Sequence, residues 1–263
     1  MALGLPVAPP LRTHDGVYLV AGEDGSYSLY PYLPGRVYEA HYTESGGVDA
    51  AILARAAAYG RGLARLHRGL AALADVWDAS VMDLPQQLRG WVRARLDEIA
   101  SVATCVADVY HGFTGSLFAR YCELPHQIIH RDAHPGNLLI KDNEVSGFID
   151  WEISTQGPRL FDLAYCSTSL LSVAQGISAR RHAWLSQLTS LVAGYDSVQP
   201  LAGVERAMLG QIQMAIQLIF AAYYGGLGMA EQMDANLATL RWLLDNQDAV
   251  AEAASGRGGV RDE

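Results

Sequence analysis

Apolar and polar positions change rhythm along this chain, and each change marks a boundary. Over the first forty residues they form short β-rich runs. Val17-Tyr18-Leu19-Val20 and Tyr27-Ser28-Leu29-Tyr30 flank the turn signal Glu23-Asp24-Gly25, which predicts a hairpin. Pro31-Tyr32-Leu33-Pro34-Gly35 ends it, because proline donates no ladder hydrogen bond. From Val48 the period becomes helical, with Ile52, Leu53, Ala56, Tyr59, Leu63 and Leu66 on one face through His67. Asp83 ahead of Leu84-Pro85 predicts a capped helix start, with Leu88, Trp91, Val92, Leu96 and Ile99 on one side. A further helix is expected from about Thr104 to Tyr121.

A β-rich island then interrupts the helical texture. Gln127 to His130, Asn137 to Ile140 and Val145 to Ile149 read as three strands, with Lys141-Asp142-Asn143-Glu144 as a turn. After Gly157-Pro158 the period is helical again, over about 159–172, 178–194, 201–224 and 230–251. The tail from Ala253, with its Ser-Gly-Arg-Gly-Gly run, reads as disordered. No internal repeat is visible.

Composition narrows the function classes. The chain has 263 residues, half of them apolar and 18% charged, enough for a globular core. Its net charge of −9 and lack of a basic run argue against a nucleic-acid partner and leave room for a cationic one. Cys105, Cys122 and Cys166 are odd in number and widely spaced, so neither a disulfide framework nor a zinc ribbon is expected, and a cytoplasmic location fits. The start lacks a secretory pattern. Ala207 to Ala230 is uncharged, but Gln211, Gln213, Gln217 and Gly225-Gly226 favour a buried core helix over a membrane span. Among 19 basic residues there is a single lysine, Lys141.

The chemistry concentrates on the island. His130-Arg131-Asp132-Ala133-His134-Pro135-Gly136-Asn137 is followed by Gly147-Phe148-Ile149-Asp150-Trp151-Glu152. Phosphoryl transfer needs a carboxylate to orient an acceptor hydroxyl and take its proton, which suits Asp132. It also needs hard oxygen ligands for Mg2+, which suits the Asn137 amide and the Asp150 carboxylate. Pro135-Gly136 supplies turn chemistry between Asp132 and Asn137, and a hairpin from Asn137 to Asp150 returns the second acid to the same end. A competing arrangement, with His126, His130, Asp132 and His134 as ligands of a hydrolytic metal, leaves Asn137 and Asp150 unexplained.

These residues resemble the catalytic loop of the kinase fold. Asp150-Trp151-Glu152 is similar to the corresponding segment of the aminoglycoside phosphotransferases and related small-metabolite kinases. Phe161-Asp162-Leu163-Ala164 after Gly157, and Leu63 to His67, look like further family segments. The resemblance implies a kinase-like α+β fold with an N-terminal lobe reduced to a hairpin and hinge (1–35), a large helical lobe (36–251) and a tail (252–263). It implies ATP and Mg2+ as cofactors. It implies adenine held at the hinge by Tyr30, Tyr32 and Leu33, architectural roles for His130 and Asp162, and a small-molecule hydroxyl acceptor. That acceptor would lie against the C-terminal helices, where Glu231 and Asp234 suit a cation.

The pattern is incomplete. A Gly-rich phosphate loop and a strand lysine belong ahead of the hinge, yet the only glycine turn there carries Glu23 and Asp24, and Lys141 lies beyond the catalytic loop. Two expectations follow. Apolar surface left bare around the hairpin would promote self-association, and the alternative to an enzyme is a non-catalytic pseudokinase or binding module.

Overall fold

The computed structural model describes residues 5–73, 80–99, 110, 114–174 and 177–256. The N-terminal hairpin is present but minimal. Strands β1 (Val20–Ala21) and β2 (Ser26–Tyr27) pair antiparallel through Val20 with Tyr27 and Ala21 with Ser26. They are shorter than the runs that announced them. Val17, Tyr18, Leu19, Val20, Tyr27 and Leu29 are all exposed, so nothing packs on that face to extend the ladder.

Helix α1 (Ala50–Ala71) starts at Asp49, whose side chain accepts from the Ile52 N–H. It crosses α6 (Ser178–Asp196) closely, because both helices carry glycine at the crossing. A Cβ on Gly60 would meet the Leu191 carbonyl oxygen at 2.0 Å, and one on Gly194 would meet the Ala57 oxygen at 2.1 Å. Leu63 and Leu66 are fully buried beside this crossing, each contributing about 1.5–3 kcal/mol.

The Asp83 cap is as expected, accepting from the Gln86 N–H. The helix it opens is not continuous. α2 (Leu84–Gln87) runs through a wide π-type turn (Leu88–Val92) into α3 (Arg93–Glu98), with Gly90 breaking the helical backbone. The expected Thr104–Tyr121 helix lies largely outside the described residues, as does Cys105; its later part is α4, described over 114–120.

The β island differs from the expected three-stranded arrangement. It consists of two separate antiparallel pairs. β4 (Leu138–Lys141) pairs with β5 (Glu144–Phe148), and β3 (His126–Ile129) pairs with β6 (Thr155–Pro158). β6 is the strand that sequence missed, because Gly157-Pro158 reads as a breaker. Pro158 is tolerated because it occupies the last strand position.

The remaining helices are α5 (Leu160–Ser172), α6, α7 (Gly203–Gly226), α8 (Ala230–Asp245) and α9 (Gln247–Ala254). The helix expected over 230–251 is thus two, broken at Asn246. Ala253 and Ala254 are buried at the end of α9, so the chain stays packed past the expected tail boundary; residues 257–263 lie outside the described ones. Most of the uncharged segment, from Ala207 to Gly226, lies in α7, which is a core helix. Among the described residues no helix is long and apolar enough to cross a membrane. A bidentate ion pair from Arg159 to Glu205 joins the start of α5 to α7 at 2.6–2.7 Å, with both side chains buried.

Candidate active site

The loop between β3 and β4 is held by its own polar groups. Asn137 Nδ2 donates to both the backbone oxygen and the Oδ2 of Asp132, each at 2.9 Å. The Pro135–Asn137 turn is capped by His134, whose Nδ1 accepts from the Gly136 N–H at 3.0 Å. That leaves His134 Nε2 facing Asp132 Oδ2 at 3.8 Å. Because the Asn137 nitrogen is committed to Asp132, its amide oxygen is left for another partner.

The β4–β5 hairpin carries the second acid back. Its two-residue turn, Asp142-Asn143, has both φ values positive, the conformation that matches strand twist. Leu138 pairs with Phe148, and beyond that rung the Ile149 N–H donates to the Asn137 carbonyl at 3.1 Å. Asp150 follows directly, at φ 64° and exposed. His130 ties the two halves together. Its Nε2–H donates to the Ile149 carbonyl at 3.0 Å, while its Nδ1 accepts from the Asp132 N–H at 3.3 Å. Burial holds this imidazole below its ordinary pKa, so it serves as a neutral bridge.

Asp162, fully buried on α5, clamps the start of the loop. Its Oδ2 accepts from the His130 N–H at 2.9 Å and its Oδ1 from the Arg131 N–H at 2.8 Å. His67 Nε2 lies 3.0 Å from the same Oδ2, and His67 Nδ1 lies 2.7 Å from the Tyr195 hydroxyl. The polar chain thus runs from α6 through α1 and α5 to the loop. Arg131, at its end, adopts φ 69°, a left-handed conformation unusual for a side chain this large.

One cavity opens at Asp132 and a second at His134, and the stacked rings of Tyr165 and Phe220 line both. One, of about 300 Å3, is lined by Arg131, Asp132, Trp91, Phe161, Tyr165 and Tyr223 among others. The other, of about 280 Å3, is lined by His134, Ser169, Ser172, Gln232 and Asn236 together with Tyr165 and Phe220. Burial first, and then the charge of Asp132, pushes the Tyr165 phenol far up. Glu231 and Asp234 are exposed and line neither cavity, although their neighbours Gln232, Ala235 and Asn236 do.

The hinge candidates separate. Leu33 packs on Gly147 of β5, the Pro34 oxygen accepts from Ser146 Oγ at 2.6 Å, and Arg36 pairs with Ile140 of β4. Tyr30 and Tyr32 are instead exposed, Tyr32 by 89%. Lys141 is exposed at the turn end of the hairpin, about 13 Å of strand away from Asn137. The hydrolytic-metal arrangement fails on geometry: His126 Nδ1 bonds the Leu124 oxygen, and among the described residues no three His, Cys, Asp or Glu side chains can share an ion.

A family model described as "Phosphotransferase enzyme family" matches residues 2–201, most of the chain. The chain belongs to that family. It is 27% identical over 225 residues to a homoserine kinase of Xanthobacter autotrophicus, covering 83% of this chain and 63% of that one. It therefore spans less than two thirds of that relative's length. In fold it resembles an aminoglycoside phosphotransferase from Alicyclobacillus acidocaldarius, with TM-score 0.67 at 16% identity, over 95% of this chain and 77% of the other. It also resembles an amicoumacin kinase solved with AMP-PNP and Ca2+, with TM-score 0.63 at 14% identity, over 92% and 73%. The kinase-like fold read from the catalytic loop is thereby established.

Three site residues escaped the sequence. Tyr165 directly follows Phe161-Asp162-Leu163-Ala164, one helical turn past Phe161, and its position in the run was the only signal available. His67 was visible as part of a helical segment, but its partnership with Asp162 spans 95 residues. Tyr195 carried no signal.

Proposed function

We propose that this phosphotransferase moves the γ-phosphoryl group of ATP to a hydroxyl of a small molecule. The observation that carries the reading is the linkage of Asp132, Asn137 and Asp150. The Asn137 side chain bonds Asp132, and the Asn137 carbonyl bonds the residue before Asp150. A base candidate and two oxygen donors therefore share one end of one hairpin.

Asp132 would accept the hydroxyl proton as the acceptor oxygen bonds to the γ-phosphorus. The bond from that phosphorus to the β–γ bridging oxygen breaks, and ADP leaves. The Asn137 amide oxygen and the Asp150 carboxylate suit Mg2+, a hard cation that takes one or two protein oxygens and completes its shell with water and phosphate. That ion, when bound, offsets phosphate charge. Leu33, against β5, fits an adenine-side contact better than the exposed Tyr30 and Tyr32, whose backbone groups remain candidates. The relatives named for homoserine and aminoglycosides share a small hydroxyl-bearing acceptor, and this chain is assigned the same broad class.

A second reading, nucleotide binding without transfer, is favoured by one observation: the only lysine stands at the far end of the hairpin. Calorimetric titration with ATP, with and without Mg2+, beside Asp150→Asn and Asp132→Asn, separates the two. The kinase reading expects Mg2+-dependent binding lost in Asp150→Asn. It also expects ADP release with a hydroxyl acceptor, lost in Asp132→Asn while binding persists. Binding without any ADP release across alcohols, sugars and amino-acid alcohols would leave the binding-module reading. No binding at millimolar ATP would defeat both.

A further inference from the structure

Adjacent residues on an extended chain point to opposite sides. Arg131 and Asp132 are adjacent, yet both line the same 300 Å3 cavity. The left-handed backbone at Arg131 accompanies that placement, and Asp162 fixes it by accepting from the Arg131 N–H. A non-glycine residue in that conformation carries strain, which persists where the surroundings impose it and often marks a functional position.

Arg131 is half-buried, and its guanidinium has no hydrogen-bond, ion-pair or ring partner among the described residues. Arg61, Arg65, Arg93, Arg95, Arg159 and Arg206, by contrast, each meet a carboxylate. Among the described residues the only acid lining the cavity is Asp132, and no salt bridge joins it to Arg131. The rest of the wall is aromatic, aliphatic or neutral: Trp91, Phe161, Tyr165 and Tyr223, with Ile216, Ile219 and Gln87.

We infer that Arg131 is a specificity residue for an acceptor bearing one carboxylate on an apolar, ring-sized body. The inference rests on the kinase reading only for the word acceptor. A partly buried guanidinium gains most from a planar anion, which it can meet with two parallel hydrogen bonds. A polycation finds no acid here besides Asp132 and meets an unpaired positive charge. The cavity thus selects a hydroxy acid whose hydroxyl reaches Asp132, with its carboxylate at Arg131 and its body against the rings.

The test is equilibrium binding to the whole chain, so it does not depend on turnover. The probes are 4-(hydroxymethyl)benzoate, its neutral benzamide and the cationic 4-(hydroxymethyl)benzylamine, measured by calorimetry or ligand-observed NMR. The wild-type chain is expected to prefer the carboxylate over the amide by roughly ten- to a hundredfold, the worth of a charge-assisted pair. Arg131→Met removes that preference, and Arg131→Lys keeps part of it, which guards against misreading a misfolded Met variant. Equal binding of carboxylate and amide to wild type, preference for the amine, or no binding of the carboxylate at millimolar concentration overturns the inference. So does an Arg131→Met variant that weakens ATP binding and leaves the carboxylate preference intact. Loss of Mg2+-dependent ATP binding with the carboxylate preference retained would defeat the kinase reading and not this one. ATP binding without the preference would do the reverse.

Discussion

At the scale of single residues, the buried Asp162 carboxylate organises more of the site than any group that would meet substrate. It accepts from the consecutive backbone N–H groups of His130 and Arg131 and faces His67. Asp162→Asn turns one acceptor into a donor pointed at donors. The expected cost is about 3 kcal/mol in urea unfolding, with activity lost even where the variant folds. A surface-like cost below 0.5 kcal/mol would show that the clamp is dispensable. His41 makes a different prediction. Its imidazole is buried near Arg55 and pushed down to about 4, so the folded chain resists a proton that the unfolded chain takes at its ordinary value of 6.5. Stability should be full above about pH 6.5 and fall steadily as pH drops toward 4. His41→Gln should flatten that decline in thermal melts taken from pH 7 to 5. An unchanged slope would assign the acid sensitivity to other groups, His130 first among them.

At the scale of elements, two joints decide the packing. The α1–α6 crossing depends on Gly60 meeting the Leu191 carbonyl with no Cβ between them. Gly60→Ala should force the helices apart at a cost of about 1–3 kcal/mol or more, read as a lower denaturant midpoint at unchanged slope. The Arg159–Glu205 pair is buried, so removing one partner strands the other. Glu205→Ala should cost about 3–5 kcal/mol, whereas replacing both residues with apolar ones of similar volume should cost far less. These elements also mark how far sequence could be read. The strands on either side of Pro135-Gly136 and the cap at Asp83 were legible because local chemistry dictates them. The β3–β6 pair was not, since Gly157-Pro158 reads as a breaker and Ile129, the partner of Thr155, stands 26 residues away. Nor was the wide turn at Leu88–Val92, where the apolar spacing continues while Gly90 changes the backbone. Asp132, Asn137 and Asp150 were readable as a set because hard-oxygen chemistry restricts residue types. The cavity beside them was not, because residues of α2, α5 and α7, far apart along the chain, build it.

At the scale of the whole molecule, packing is uneven. The helical part holds every one of the largest fully buried side chains outside the β island, from Trp184 to Leu117, while residues 17–32 expose a run of apolar and aromatic groups. A contiguous bare patch of this kind promotes association. Light scattering of the purified chain is expected to show concentration-dependent growth in mass. Val20→Lys with Leu29→Lys should suppress it. A monodisperse monomer at high concentration would mean the patch is too small or too mobile to pair.

The β4–β5 hairpin behaves as a pair of calipers. Asn137 and Asp150 sit at its open tips and Asp142-Asn143 at its pivot. Changes of length at the pivot leave the tips where they are, so added residues between Lys141 and Glu144 should spare the site. One residue inserted within β5 would instead slip the register and swing Asp150 to the opposite side of the ladder. Natural length variation in proteins built this way should therefore collect at the pivot and be absent from the arms.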